Sequence, residues 1–168
     1  MDSINADKLV IQQCLHMHRK AEDTHEDMQS FHLCPQKLAI FRANEILQER
    51  EKLGMQWPIP EFLSRWNLRL PNGITGDLNL LPGVALKADG PEATEGMLIY
   101  FPENRLPITI EDRFMALFTF RTAWSLVEMQ PYLRALVVGS ITEASLLLKH
   151  ARACRTSTGD YVYSARKL

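Results

Sequence analysis

Large apolar side chains recur at helical spacing most plainly between Thr109 and Leu136. Ile110, Phe114, Leu117 and Phe118 fall at i, i+4, i+7 and i+8, which gathers them on one helical face. Thr109, with Asp112 shortly after it, is placed to cap the start, and this helix is expected to end near Trp124. Ser125 and Glu128 have the spacing of a capping box and open a run in which Leu126, Met129, Leu133 and Leu136 share a face. Pro131 has no backbone donor, so it is expected to start the longer part of this second helix after a first turn. Ser140 with Glu143 suggests another box, opening a third helix from about Ile141 to Cys154 with Ala144, Leu147, Leu148, Ala151 and Cys154 inward. After the turn Ser157–Asp160, the stretch YVYSA is expected to be a strand. Short helices with brief connections pack at steep angles, as in helix-turn-helix units.

Upstream the same order is visible. Pro35 suits the first position of a helix that Ala39, Ile40, Ala43, Ile46 and Leu47 stripe as far as about Lys52. Trp57-Pro58-Ile59-Pro60 interrupts it. Phe62, Leu63 and Trp66 make a short second helix, and Gly73 to Leu81, with Asp77 as a possible cap, holds enough for a small third one. Pro82-Gly83 ends that turn, and VALK and MLIYF are two strands joined by the loop ADGPEATEG. Three helices closed by a hairpin make a winged helix. The chain opens with a helix over about Ala6 to Lys20, a polar turn and the short strand SFHL, an end-piece like that of the last unit and too little to bury both its faces. The expected fold is mainly α with small β-hairpin wings: tandem winged-helix domains over 34–107 and 108–168, preceded by the C-terminal part of a truncated winged helix at 1–33.

Composition narrows the function more than the fold. At 168 residues and 46% apolar, the chain can bury a real core, and its net charge of −1 excludes a strongly basic DNA-coating protein. The charge is unevenly spread. Residues 1–32 carry an excess of Asp and Glu, whereas 140–168 hold Lys149, Arg152, Arg155, Arg166 and Lys167 against Glu143 and Asp160. Cys14, Cys34 and Cys154 have no framework spacing, which favours a reducing compartment. No apolar run approaches the ~20 residues of a membrane span, and the N-terminus lacks the order of a signal peptide. A soluble, intracellular protein is expected.

Catalytic signals are absent: there is no phosphate-cradling glycine loop, GxSxG elbow, HExxH or paired-cysteine motif. Cys14 and His18 stand at i, i+4, with His32 and Cys34 beyond the turn, and these ligand types could converge on zinc. Their spacing matches no familiar zinc pattern, and Cys14 fits an apolar helix face equally well. Neither a metal nor a cofactor is expected. A polyanion has the better physical basis. On the expected third helix of the last unit, Ser145, Lys149, Arg152 and Thr156 recur at i, i+4, i+7 and i+11, where a recognition helix would meet a groove. Arg155, Arg166 and Lys167 could add backbone contacts, and no side-chain pair is identifiably arranged to read a base. A solvated basic face is the plain alternative. The middle unit points the other way: its wing loop holds Asp89, Glu92 and Glu95, a surface suited to packing on protein.

The series Arg113-Phe114, Leu117-Phe118, Arg121, Trp124, Pro131-Tyr132, Leu147-Leu148-Lys149, Arg152, Tyr163 and Arg166 resembles the C-terminal region of the sister chromatid cohesion protein DCC family, "defective in sister chromatid cohesion". Phe62, Trp66, Leu80, Gly83, Ala85 and Leu86 fit the same pattern upstream. The resemblance covers roughly Cys34 to the end. It implies tandem winged helices that bind single- and double-stranded DNA within an alternative replication-factor-C-like clamp loader, acting in DNA replication and sister chromatid cohesion in the nucleus. It also implies partnership with other loader subunits and the leading-strand polymerase, mainly through a region absent from this chain. The expected DNA contacts are Lys149, Arg152, Arg155, Arg166 and Lys167, and no enzyme activity is expected. The alternatives are a protein-interaction scaffold built of winged helices and a free-standing winged-helix transcription regulator.

Overall fold

The computed structural model describes residues 34–88, 96–157 and 159–166. The expected opening helix, the strand SFHL and the truncated unit at 1–33 lie outside the described residues, as do Cys14, His18, His32, Asp89, Glu92, Glu95 and Lys167. Helices and short antiparallel strands alternate along the chain, which divides into two compact units, Met1–Leu80 and Leu81–Leu168. Among the described residues, no helix is long and apolar enough to cross a membrane.

In the first unit, helix α1 (Pro35–Glu51) begins on its proline and buries Ala39, Ala43, Ile46 and Leu47. That i, i+4, i+7, i+8 set is the stripe that periodicity demands. The chain then passes through a two-residue extended stretch, β1 (Trp57–Pro58), into α2 (Ile59–Arg69), whose Phe62 and Trp66 are buried. Both tryptophans are anchored through their polar edge. Trp57 Nε1 donates to Ile46 O at 3.0 Å and Trp66 Nε1 to Ala39 O at 2.9 Å, so each indole buries its bulk without orphaning its N–H. Arg50 lies over the Trp57 ring at 4.2 Å and pairs with Glu61. The expected third helix is one 3-10 turn, Leu78–Leu80, opened by Asp77 Oδ1 accepting from the Asn79 N–H at 2.9 Å. Pro82 follows too closely for a further turn.

The second unit opens on a hairpin, β2 (Ala85–Lys87) and β3 (Met97–Tyr100), in which Leu86 faces Ile99. Helix α3 (Ile110–Phe120) follows, then strand β4 (Ala123–Ser125), helix α4 (Leu126–Leu133), a 3-10 turn at Arg134–Leu136, helix α5 (Glu143–His150) and strands β5 (Ala151–Arg155) and β6 (Tyr161–Ala165). Strand β6 is central in an antiparallel sheet of order β4-β6-β5. The core is Phe114, Leu117, Trp124, Met129, Tyr132, Leu133, Leu136, Leu146, Leu147 and Ala151, with Leu86 from the hairpin. Fully burying one of its large apolar side chains is worth about 1.5–3 kcal/mol.

Several expected boundaries are corrected here. Helix α3 stops at Phe120 rather than near Trp124, because Arg121 turns extended and Trp124 belongs to β4. The Trp124 indole N–H reaches back to Arg121 O at 2.9 Å, just past the helix end, and to Leu117 O at 3.1 Å, which also accepts from the Arg121 N–H. Thr109 is the N-cap of α3, but its hydroxyl donates to Asp112 and caps no backbone group. Ser125 and Glu128 do form a complete capping box. The next box is Thr142 with Ser145, not Ser140 with Glu143. Pro131 does not start the longer part of α4. It sits buried inside that short helix, which tightens to a 3-10 turn soon afterwards. Leu126, expected inward, is 40% exposed.

The largest correction concerns the third helix. It ends at His150, and the expected continuation to Cys154 is β5, paired along its length with β6. The phase differs too: Leu146 and Leu147 are buried, whereas Ala144 is exposed and Leu148 is 77% exposed. His150 stacks on Phe114 with ring centres 5.1 Å apart, which holds the helix in this rotation.

Candidate nucleic-acid interface

The cationic end of the second unit is built on the junction of α5 and β5. Thr142 accepts from the Ser145 N–H, and Ser145 Oγ accepts from the Thr142 N–H, so α5 starts abruptly. Glu143 stands at its positive end and Lys149 and His150 at its negative end, the arrangement that complements the helix dipole. Ala151 turns extended while its N–H still bonds to Leu147 O, and the chain enters β5 without a loop. Lys149, in the last helical turn, and Arg152, the second residue of the strand, therefore emerge next to one another in the chain and are both exposed.

The sheet register adds a third cation. Ala151 is buried, so the alternation of a strand sends Arg152 and Cys154 to the opposite face. Arg152 is directly across from Ser164, and Cys154 Sγ lies 3.7 Å from Ser164 Oγ on that same face. Arg166 follows Ser164 by two residues. Its Nη1 donates to Leu148 O at 2.9 Å, one of the last carbonyls of α5, which folds the guanidinium back toward the junction. Arg152 and Arg166 line one shallow recess with Leu148 and Ala151.

The remaining expected contacts separate. Arg155 sits three residues beyond Arg152, about 10 Å along the strand, on the face that carries Ala151 and Ala153. Its Nε donates to Gly159 O across the hairpin turn. Lys167 lies outside the described residues. The helical stripe Ser145–Lys149–Arg152–Thr156 does not exist as one face, because the helix has ended before Arg152. Two of its members are also engaged elsewhere. Ser145 is held in the cap, and Thr156 Oγ1 donates to Asp160 O and accepts from the Asp160 N–H in the β5–β6 turn.

The described cations divide into those that hold a carboxylate and those that do not, the latter including Lys52, Lys87 and Arg134 as well as the cations of this end. Arg42, Arg50, Arg65, Arg69, Arg113 and Arg121 each hold a carboxylate. Lys149, Arg152, Arg155 and Arg166 make no ion pair with a described residue. Nearby acids are occupied: Glu143 accepts from Gln130, and Glu128 is bound by Arg121 and Ser125. Partial burial would raise the Glu128 carboxyl, but the Ser125 hydroxyl and the Arg121 guanidinium outweigh it and hold the group below the usual carboxylate range.

Two features were not singled out from residue spacing. Arg113 is 4% exposed, with Nε donating to Pro107 O at 2.7 Å and Nη1 to Tyr132 O at 2.9 Å. It is a structural tether, and nothing in its local sequence marks it as buried. The second is an apolar groove of about 590 Å³ whose lining includes Leu126, Gln130, Ala144, Leu148 and Tyr163. It exists because α5 is rotated from the expected phase. Among the described residues, no group of three or more His, Cys, Asp or Glu side chains is placed to hold a metal.

Comparison with known proteins places these elements in a family. A sequence profile of the sister chromatid cohesion protein Dcc1 family matches residues 1–133, a stretch that begins earlier than Cys34 and ends before α5. The sister chromatid cohesion protein DCC1 of Danio rerio is 28% identical over 163 residues, covering 95% of this chain and 39% of its own length. That of Mus musculus is 29% identical over 161 residues, again 95% of this chain and 38% of its own. The probable sister chromatid cohesion protein DCC1 of Dictyostelium discoideum is 26% identical over 132 residues, 77% of this chain and 35% of its own. The chain thus spans less than two fifths of the length of these curated relatives. With a profile match over most of its residues, the chain belongs to the sister chromatid cohesion protein Dcc1 family.

Proposed function

We propose that this chain is a non-catalytic, DNA-binding region of a protein of sister chromatid cohesion, built of tandem winged helices. Along the chain, the order helix, short strand, helix, helical segment, two strands occurs at 35–100 and again at 110–165, there with an added 3-10 turn before the third helix. That is the order of a winged helix, in which the third helical segment and the hairpin flank the surface offered to nucleic acid. In this reading the chain belongs to an accessory subunit of an alternative replication-factor-C-like clamp loader and works in the nucleus during DNA replication. The other loader subunits and the leading-strand polymerase are engaged mainly through parts of the protein beyond this chain.

The observation that carries the reading is the set of exposed cations without carboxylate partners, Lys149, Arg152 and Arg166, at the α5–β5 junction and the end of β6, with Arg155 on the hairpin. Cations already neutralised by protein acids have little to offer a polyanion. Unpaired ones release counterions from DNA and bind it in a salt-dependent, largely sequence-independent way. The test is fluorescence anisotropy with single-stranded, duplex and primer-template DNA at two salt concentrations, beside the double variant Lys149→Glu, Arg152→Glu. Binding that weakens steeply with salt and is lost in the variant supports the reading. Binding indifferent to both, or none at all, removes it.

A further inference from the structure

We infer that the outer edge of β5, with the apolar groove beside it, takes an extended segment of a protein partner as a fourth strand of the β4-β6-β5 sheet. The segment carries apolar residues across from Ala151 and Ala153 and acids across from Arg152 and Arg155. The inference does not depend on the DNA-binding reading.

Sheet register fixes which backbone groups the edge offers. Strand β5 is terminal in the order β4-β6-β5, so one of its sides has no strand neighbour among the described residues. The Thr156 N–H donates to Asp160 O at 2.8 Å, and these two residues continue the ladder one step past Arg155 and Tyr161. In an antiparallel pair, bonded and non-bonded positions alternate. Arg152 and Cys154 therefore turn their N–H and C=O toward β6, whereas Ala151, Ala153 and Arg155 turn theirs outward. Ala151 agrees with this phase, because its N–H leaves the sheet for Leu147 O. Outward donors at 153 and 155, with outward acceptors at 151, 153 and 155, make a template for one more strand.

The groove lies along one face of that edge. Ala151, Ala153 and Tyr163 form its sheet side, and Leu126, Ala144 and Leu148 its helical side. Leu148 is 77% exposed, and Ala153 is exposed as well. A strand laid against β5 sends alternate side chains to this face. Those across from Ala151 and Ala153 enter the groove, where the small alanines leave room for branched apolar groups. Glu143, on the α5 wall, accepts from Gln130 at 3.1 Å.

Charge selects the occupant. Arg155 stands on the groove face two residues past Ala153, and Arg152 stands on the opposite face; neither pairs with a described carboxylate. Cations on an edge ordinarily discourage edge-to-edge pairing, and a second copy of β5 would bring two more arginines to the same contact. An acidic strand instead places a carboxylate beside each guanidinium. Nucleic acid has neither an amide ladder for the edge nor apolar side chains for the groove.

The test uses the whole chain and two fluorescein-labelled peptides, with the core Asp-Thr-Val-Asp-Val and its reverse, which suit the two strand directions. By anisotropy, at least one is expected to bind about tenfold or more tighter than a scrambled core, Val-Val-Thr-Asp-Asp. Ala153→Pro removes an outward donor but no bond to β6, so it is expected to stay folded and to lose about tenfold or more in affinity. Arg155→Glu is expected to bind several-fold more weakly, and a peptide with Lys for its terminal Asp is expected to restore the affinity of that variant. A variant that had merely misfolded would bind neither peptide, so this charge swap decides the matter even if thermal melts show Ala153→Pro to be unfolded. The proposal is overturned if neither core binds at millimolar concentration or if the scrambled core binds as well. It is equally overturned if folded Ala153→Pro binds like the parent, or if the Lys peptide fails to rescue Arg155→Glu. None of these outcomes bears on DNA binding.

Discussion

The indole of Trp66 closes directly over Gly76: a methyl group built at position 76 would stand 2.4 Å from Trp66 Cε3 and 2.6 Å from Cδ2. The indole is itself immobile, fully buried and hydrogen-bonded to Ala39 O, while Gly76 N–H donates to Asn67 Oδ1 at 2.7 Å. Neither partner has room to give. Gly76→Ala is expected to destabilise the first unit by about 1–3 kcal/mol, the usual cost of overpacking a filled site. A thermal melt followed by tryptophan fluorescence checks this, and a melting point equal to that of the parent would show that the indole can move aside.

Arg113 is expected to matter to the second unit far more than an ordinary surface arginine. It is buried, and its guanidinium serves Pro107 O, Tyr132 O and Glu103. Arg113→Ala leaves buried carbonyls without donors and opens a void, at a cost of about 2–4 kcal/mol. Urea denaturation of the two proteins measures the difference. An effect within about 0.5 kcal/mol, as for a typical surface substitution, would show the tether to be dispensable.

Acid should weaken the Ser125–Glu128–Arg121 link. The Glu128 carboxyl is held below its ordinary value in the folded protein, so its contribution is fully present above about pH 4.3 and is lost as pH falls through the lower folded-state value. Glu128→Gln should therefore melt earlier than the parent at pH 6, and the gap should narrow as pH drops toward 3. Melting curves at several pH values test this; a constant gap would mean that the charge on Glu128 contributes nothing.

The Tyr132 phenol should behave as a fixed donor. Burial pushes its pKa well above that of a free tyrosine, and its hydroxyl donates to Phe101 O at 3.0 Å. Tyr132→Phe keeps the packing against Phe101 and Trp124 and removes only the hydrogen bond. The expected loss is about 1–2 kcal/mol, read by denaturant titration. A neutral result would show that water or a rearranged backbone satisfies Phe101 O.

What residue order alone determined here is the part written in local periodicity. The stripe Ala39–Ala43–Ile46–Leu47, the face Phe114–Leu117, the Ser125–Glu128 box and the strands at 85–87, 97–100 and 161–165 are visible because a helix or strand puts its own repeat into the sequence. Lys149, Arg152 and Arg166 were legible as a basic excess because a count of charges along the chain needs no fold. Tertiary structure decided what surrounds them. Leu147 and Ala151 lie four apart and fit a helix or the end of one equally well. Only pairing of 151–155 with 161–165 turns that segment into a strand, and such a long-range contact leaves no periodic signal. From that one switch follow the broken stripe, the outward Leu148 with its groove, and the recess that Arg152 and Arg166 share. The burial of Arg113 is equally non-local, because its acceptors come from two separate segments, 103–107 and Tyr132 in α4, that only the folded chain brings together.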